Sequence, residues 1–292
     1  DKKMTKKYGI IGNPIKHSLS PVLHNYWFKK YKIDANYSII NVKDESELTG
    51  IIEQIRNKEL SGINVTLPYK QKIVSQVDTI VNDAEITNSV NTIYLDSKQT
   101  IIGENTDVFG LQAAYLKEID NTPKKKALII GAGGVSPSVI LSLQKSGFQE
   151  ISITNRTREK CIFLKNRFNN LNIVEWEKLK EEIKNFEIII NATSLGLKRG
   201  KDFNFNFDQT KSDLIYIDTI YNPLETKTLK YLKKMDIKVF NGLNMFIYQG
   251  QKAFYLWNKI NPEIDEKLIE LLVTNLKCCL LYTSPSPRDR YG

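Results

Sequence analysis

The 292 residues of the chain are enough for about two domains, and 41% of them are hydrophobic while 26% are charged. These proportions exclude a disordered or fibrous protein, and no apolar run approaches the roughly 20 residues of a membrane helix. The net charge of +9 comes from scattered lysines without a recognition motif, so we expect no nucleic-acid partner. Three cysteines and two histidines indicate neither a disulfide framework nor a metal site. We expect a soluble, cytoplasmic protein that binds no metal.

The first part of the chain alternates strand-like and helix-like patterns. Apolar runs that stop at turn residues predict strands at residues 7–12, 36–42, 62–67, 89–94 and 100–103. Apolar residues at helical spacing predict helices at residues 22–32, 47–57 and 69–77. Ser20 and Pro21 are expected to supply the N-cap and the first-turn proline of the first helix.

A second unit is predicted beyond Asn121-Thr122-Pro123, which has the composition of a boundary. Predicted strands at residues 127–130, 150–154, 187–191 and 214–218 alternate with helical segments, and this alternation is typical of a parallel sheet with right-handed crossovers. Amphipathic stretches at residues 244–259 and 263–277 predict two closing helices. The expected fold class is therefore α/β.

A glycine-rich segment, Gly131-Ala132-Gly133-Gly134-Val135-Ser136, lies between a predicted strand and a predicted helix. Glycines there let backbone N–H groups approach a diphosphate at a helix N-terminus, although a plain tight turn is the alternative. The next strand ends in Asn155-Arg156-Thr157-Arg158 and lacks the acidic residue that holds the ribose hydroxyls of NAD. Because arginine suits phosphate binding, we expect NADP, unless the two arginines are solvated loop residues.

Five further segments match a family when they are taken together and in order. They are residues 12–21, 64–70, 90–92, 103–107 and 191–196. Around the glycine loop, they resemble shikimate dehydrogenase over about residues 7–275. The resemblance implies NADPH-dependent, reversible reduction of 3-dehydroshikimate to shikimate, a step toward chorismate and the aromatic amino acids.

The resemblance also implies two domains with a cleft between them. Residues 1–108 plus 241–277 would form an α/β substrate domain with a mixed, mainly parallel sheet, and residues 109–240 a Rossmann-type NADP-binding domain. Lys70 and Asp107 match the family's catalytic pair, although the division of acid and base roles between them stays open. The alternative for this pair is a lysine on a helix surface and a helix N-cap.

The remaining site residues are carried over position by position. The resemblance implies that substrate is bound by Ser18, Ser20, Asn64, Thr66, Lys70, Asn91, Asp107, Tyr221 and Gln249. It implies that NADP is bound by Gly131, Ala132, Gly133, Gly134, Val135, Asn155, Arg156, Thr157, Arg158, Thr193, Ser194, Ile220, Gly242 and Met245.

Three departures from the family pattern stand out. Asn244 and Val108 replace residues that are usually glycine. Asparagine tolerates left-handed backbone, so Asn244 is expected to preserve a turn, while Val108 is expected to lie harmlessly inside a helix. Residues 278–292 match nothing, contain two Ser-Pro steps, and are expected to form an unstructured tail that resembles translated adapter sequence.

Two other functions stay open on the sequence alone. A quinate/shikimate dehydrogenase that uses NAD is the closer one, and a catalytically silent sensor of the same ligands is the other. The expected partner is a small-molecule substrate, and the expected assembly is a monomer or a homodimer.

Overall fold

The computed structural model describes residues 4–117, 119 and 126–281. Its strands are β1 (Lys6–Ile11), β2 (Ala35–Ile39), β3 (Gly62–Val65), β4 (Thr79–Ile80), β5 (Thr92–Leu95), β6 (Ile101–Glu104), β7 (Lys126–Ile130), β8 (Glu150–Thr154), β9 (Leu171–Ile173), β10 (Ile188–Asn191), β11 (Ile215–Asp218) and β12 (Lys238–Phe240). Its α-helices are α1 (Ser20–Lys30), α2 (Leu48–Arg56), α3 (Asp83–Thr87), α4 (Asp107–Leu111), α5 (Ser136–Lys145), α6 (Arg158–Arg167), α7 (Leu179–Glu182), α8 (Lys227–Lys234), α9 (Leu243–Asn258) and α10 (Glu266–Leu281).

The first sheet is mixed. Among the described residues its six strands have the order β2–β1–β3–β5–β6–β4. Strand β1 runs parallel to β2 and β3, whereas β5 runs antiparallel to β3 and β6. The buried faces of β1 and β2 pack against α1, α9 and α10 in one core that contains Trp27, Phe28 and Phe254. This arrangement confirms the mixed, mainly parallel sheet expected for the N-terminal part.

The second sheet is parallel throughout. In the described chain its six strands have the order β12–β11–β10–β7–β8–β9. Strand β7 lies at the centre, and the strand order reverses direction between β7 and β10, as in a dinucleotide-binding fold. The α/β architecture with a Rossmann-type second unit is confirmed. Ligands of such sheets bind beyond the carboxyl ends of the strands at that reversal.

Two expectations about helices in the first part are wrong. The segment predicted as a helix at residues 69–77 forms only a 3-10 turn, Lys72–Gln76. The backbone oxygen of Lys70 accepts from Val90 N–H instead of from the helical position four residues on, and β4 begins at Thr79. Ser20 is not the N-cap of α1. Leu19 holds that position, and the backbone N–H of Ser20 donates to Ser18 Oγ at 3.2 Å.

The two departures from glycine lie in helices. Val108 is fully buried in α4, as expected. Asn244 has helical backbone in the first turn of α9, so the turn expected there is absent. The side chain of Asn241 holds the start of α9 instead, because its Oδ1 accepts a hydrogen bond from the backbone N–H of Leu243 at 3.0 Å.

The last helix continues to Leu281, beyond its expected end at Lys277, since no proline occurs before Pro285. The rest of the expected tail, residues 282–292, lies outside the described residues, as does the boundary predicted at residues 121–123. No helix in the described ranges is long and apolar enough to cross a membrane.

The chain passes between the two sheets at α4 and α9, which lie side by side. At Gly110 in α4, an added Cβ would lie 2.8 Å from the backbone oxygen of Met245 in α9. The two units are also joined beside α3. Lys145 pairs with Asp83, and Arg167 donates to the backbone oxygen of Ile86 at 3.0 Å. A cleft remains open on the side where the strands of both sheets end.

Candidate functional site

A cavity of about 510 Å³ lies between the two units. This volume is within the usual range for small-molecule sites. All nine residues predicted to bind substrate line it: Ser18, Ser20, Asn64, Thr66, Lys70, Asn91, Asp107, Tyr221 and Gln249. They come from segments up to 231 positions apart in the sequence, so the fold, and not local sequence, brings them together.

The catalytic candidates are in direct contact. Lys70 Nζ lies 2.6 Å from Asp107 Oδ2, and their side chains are only 14% and 8% exposed. Asp107 is the first residue of α4, where its backbone N–H donates to Asn105 Oδ1 at 2.9 Å. The backbone oxygen of Lys70 accepts from Val90 N–H at 2.8 Å. Both residues are therefore held by hydrogen-bonded backbone, and the interpretation of Lys70 as a solvated lysine is wrong.

Neighbouring amides are fixed by a buried network. Asn91 Nδ2 donates to Thr106 Oγ1 at 2.8 Å, and Asn91 Oδ1 accepts from the backbone N–H of Thr106 at 2.8 Å. Asn64 Nδ2 donates to the backbone oxygen of Asn91 at 3.1 Å. Gln249 Nε2 donates to the backbone oxygen of Phe246 at 2.8 Å. Polar groups held in this way can recognise the hydroxyls of a ligand with little loss of side-chain entropy.

Burial raises the pKa of Tyr221 to about 12. Its phenol is therefore neutral at physiological pH and offers the cavity a hydroxyl. Lys16 and His17 also line the cavity, although we did not predict them. Their position next to Ser18 in the sequence was the available signal.

A second cavity of about 800 Å³ adjoins the first. Its walls contain Gly131, Ala132, Gly133, Gly134, Val135, Asn155, Thr193 and Ser194, all predicted to bind NADP. The other three predicted cofactor residues that reach a cavity, Ile220, Gly242 and Met245, line the first one. Lys70 and Val135 belong to both walls, so the two cavities meet beside Lys70.

The glycine loop has the geometry that a diphosphate requires. Gly131 has a φ of +113°, and an added Cβ would lie 2.8 Å from the backbone oxygen of Ala192. At Gly133 and Gly134 an added Cβ would meet no atom within 4 Å, so the backbone borders open space. The N-terminus of α5 follows directly, where unpaired N–H groups and the helix dipole favour an anion. A plain tight turn would not need this open space, and the residues present fit a dinucleotide.

Three predicted cofactor residues do not reach the cavity. Arg156, Thr157 and Arg158 are exposed and lie outside both walls. Arg158 Nε lies 2.9 Å from Glu175 Oε1, and this ion pair holds its guanidinium away from the loop. Lys160 lines the cavity and was missed. Its place in the first turn of α6, directly after the segment of Arg156 and Arg158, was the available signal.

A buried carboxylate supports the loops at the junction. Asp218, at the end of β11, is fully buried, and its Oδ1 accepts from the backbone N–H of Ile220 at 3.0 Å. Its Oδ2 accepts from Thr226 Oγ1 at 3.2 Å. Burial raises the pKa of Asp218 to about 6. Sequence patterns gave no signal for this role, because the residue itself lines neither cavity and acts through its contacts with Ile220 and Thr226.

The described residues contain no group of three or more His, Cys, Asp or Glu side chains that could hold a metal ion. The polar side chains of the first cavity are mainly hydroxyls and amides, together with the Lys70–Asp107 pair, Lys16 and His17. Such a set suits an uncharged ring with hydroxyl groups and one proton transfer.

Comparisons with known proteins agree with this geometry. The model of the shikimate dehydrogenase substrate binding domain matches residues 10–93, and that of shikimate / quinate 5-dehydrogenase matches residues 114–235. A shikimate dehydrogenase (NADP(+)) of Pelagibacter ubique is 47% identical over 269 residues, which are 92% of this chain and 99% of the relative.

Solved structures show the same likeness. Shikimate dehydrogenase from Aquifex aeolicus has a TM-score of 0.83 at 35% identity, covering 92% of this chain and 97% of that one. Shikimate 5-dehydrogenase from Thermus thermophilus, in complex with NADP(H) and shikimate, has a TM-score of 0.80 at 26% identity, and the match covers 94% of this chain and 99% of that one. The chain belongs to the shikimate dehydrogenase family.

Proposed function

We propose that this protein catalyses the NADPH-dependent, reversible reduction of 3-dehydroshikimate to shikimate. The observation that carries the proposal is the position of Lys70. It lies at the junction of a cavity lined by hydroxyls and amides and a cavity built on a glycine loop. Transfer between a substrate and a dinucleotide must take place at such a junction.

The substrate would be oriented from two ends of its cavity. Ser18 and Ser20 lie at the start of α1, where a carboxylate is also favoured by the helix dipole. Asn64, Thr66, Asn91 and Gln249 would pair with ring hydroxyls and the carboxylate. A buried amide that is left unpaired costs about 1–3 kcal/mol, so these groups discriminate against ligands that lack the matching hydroxyls.

Proton transfer would be the work of the Lys70–Asp107 pair. Reduction of a carbonyl places negative charge on its oxygen, and Lys70 Nζ would donate a proton there. In the oxidation direction the same nitrogen would take the proton from the hydroxyl. Asp107 Oδ2, 2.6 Å from Lys70 Nζ, orients that nitrogen and would contact the same hydroxyl. General acid–base catalysis of this kind contributes about 100- to 10,000-fold to a rate.

The cofactor would be held by the glycine loop, Asn155, Thr193 and Ser194, with Ile220, Gly242 and Met245 at the nicotinamide end. NADP, when bound, supplies or accepts the hydride. Asn155 Oδ1 accepts from the backbone N–H of Ala132 at 3.2 Å and so fixes the loop against the end of β8. Apolar groups at the junction, among them Val135 and Leu197, exclude water from the reacting atoms.

Selection of NADP over NAD would depend on free cations at the end of β8. Arg156 and Lys160 are exposed, and their side chains make no hydrogen bond or ion pair with another described residue, whereas Arg158 is paired with Glu175. We therefore assign the 2′-phosphate to Arg156 and Lys160. This assignment favours NADP over the NAD-using quinate/shikimate alternative.

The test is turnover with purified protein. Shikimate with NADP should give NADPH, and the kcat/KM for NADP should exceed that for NAD by about 10- to 100-fold, the value of one or two charged hydrogen bonds. Turnover of quinate with NAD at a comparable rate would favour the quinate/shikimate alternative. Binding of shikimate and NADP without turnover would identify a silent sensor instead.

Three further properties belong to the proposal. We assign residues 1–108 and 241–277 to the substrate domain and residues 109–240 to the NADP domain, and we treat the segment after Leu281 as dispensable. The enzyme would act in the cytoplasm as a monomer or homodimer, with no nucleic-acid partner. Sedimentation of the purified protein would decide the oligomeric state.

A further inference from the structure

A buried tyrosine lies directly behind the substrate cavity. Tyr37, in β2, is 1% exposed and does not line the cavity. Its hydroxyl donates to Asn64 Oδ1 at 2.8 Å. Its backbone N–H and C=O both pair with the side chain of Asn25 in α1, each at 2.9 Å. The position of Tyr37 is therefore fixed by the helix that carries Ser20.

The ring of Tyr37 stacks on a histidine. The centroid of His24 lies 4.6 Å away, and the two rings are within 8° of parallel. Neither nitrogen of His24 has a hydrogen-bond partner in the described structure, and burial lowers its pKa to about 3. The His24 ring is therefore uncharged, and it contacts Tyr37 by stacking. Burial also raises the pKa of Tyr37 well above its usual value, so the phenol keeps its proton as a donor.

The hydrogen bonds of Asn64 leave only one group free. An amide side chain has two N–H donors and an oxygen with two lone pairs. Asn64 Nδ2 donates to the backbone oxygen of Asn91 and to Thr92 Oγ1, each at 3.1 Å. The carbonyl of Asn91 can only accept, so the Asn64 amide cannot be reversed. One lone pair on Oδ1 accepts from Tyr37, and the other remains for a ligand.

We propose that Tyr37 is a positioning residue that holds Asn64 as a hydrogen-bond acceptor toward the substrate. Asn64 then accepts from a ring hydroxyl and cannot donate to a ring carbonyl. This inference rests on the proposed function and adds a selection rule to it, since a ligand with an oxo group at that ring position finds only a lone pair.

The test is Tyr37→Phe, which keeps the stacked ring and removes only the hydroxyl. The Kd of shikimate for the cofactor-free protein, measured by calorimetry, and the KM for shikimate should each rise about tenfold. The kcat should stay within about threefold, and the Kd for NADP should not change. The matched control is Tyr216→Phe, because the Tyr216 hydroxyl is buried in the second sheet without a hydrogen-bond partner among described residues.

A double-mutant cycle separates positioning from a general loss of structure. Asn64→Ala should raise the Kd of shikimate, and adding Tyr37→Phe should raise it no further. Additive effects, an unchanged Kd in Tyr37→Phe, or an equal rise in Tyr216→Phe would each overturn the inference. Absence of shikimate binding and turnover in the unmodified protein would refute the proposed function instead, so the two failures are distinct.

Discussion

Replacing Lys70 with alanine tests the proposed chemistry at its centre. The change removes the only amine that borders both cavities in the described structure and leaves Asp107 in place. The proton must then come from water, so kcat should fall by about 100-fold or more, equivalent to about 2.7 kcal/mol in the activation barrier. Eight of the nine predicted substrate contacts remain, so the KM for shikimate should rise by less than about tenfold.

The assay is the initial rate of NADPH formation from shikimate, measured over a range of both substrates. Lys72→Ala is the matched control, since Lys72 is two residues away, 46% exposed in its side chain, and paired only with Glu45 at 3.1 Å. An exposed pair of this kind contributes little, and its loss should leave kcat unchanged. A kcat within about threefold of the unmodified enzyme in Lys70→Ala would refute the assignment of proton transfer to Lys70.

Three other outcomes are expected. Lys160→Ala should raise the KM for NADP about tenfold and leave that for NAD unchanged, whereas Arg158→Ala, which removes a residue paired with Glu175, should affect neither. Gly131→Ala should lower the Tm by several degrees because its Cβ meets Ala192, while Gly133→Ala should keep the Tm and lose NADP affinity in calorimetry. Asp218 has a raised pKa of about 6, so the folded state holds its proton where the unfolded chain releases it, and its contribution to stability falls as pH rises from about 4 to 6. Asp218→Asn has no such proton to release, so its free energy of unfolding should decrease by up to about 3 kcal/mol less than that of the unmodified protein over this pH range. An equal dependence of Tm on pH in both proteins would contradict this.

The sequence predicted the elements whose signals are local. Strands β7, β10 and β11 are apolar runs and β8 alternates polar residues with isoleucine, each ends at or just before a glycine, asparagine or aspartate, and each was located within one residue at its end. Strands β4, β9 and β12 are three residues or shorter. Such short strands depend on pairing with neighbours and not on their own composition, so no local pattern indicates them.

The site residues, too, were predicted where the signal is local and missed where it depends on distant parts of the chain. Motif positions indicated nine residues that the structure brings together in the first cavity, because the family's motifs carry those side chains, but they did not indicate Lys16 and His17. They failed for Arg158, whose partner Glu175 lies 17 positions away, and they gave no sign that Tyr37 contacts Asn64. Contacts of this kind depend on how β2 and β3 are placed on either side of β1, which is a property of the assembled sheet.

The side-by-side passage of α4 and α9 has a consequence for motion. Any rotation of one unit against the other has its axis near this pair, because the chain crosses there twice and Gly110 permits close contact. Asp107 begins α4, and Met245 and Gln249 lie on α9, so these groups stay near the pivot and keep their spacing. Lys160 lies on α6, whose last residue, Arg167, donates to the backbone oxygen of Ile86 in α3. A rotation that changes the width of the cleft at the phosphate end must therefore break or shift this contact, while the atoms around the reacting oxygen keep their arrangement.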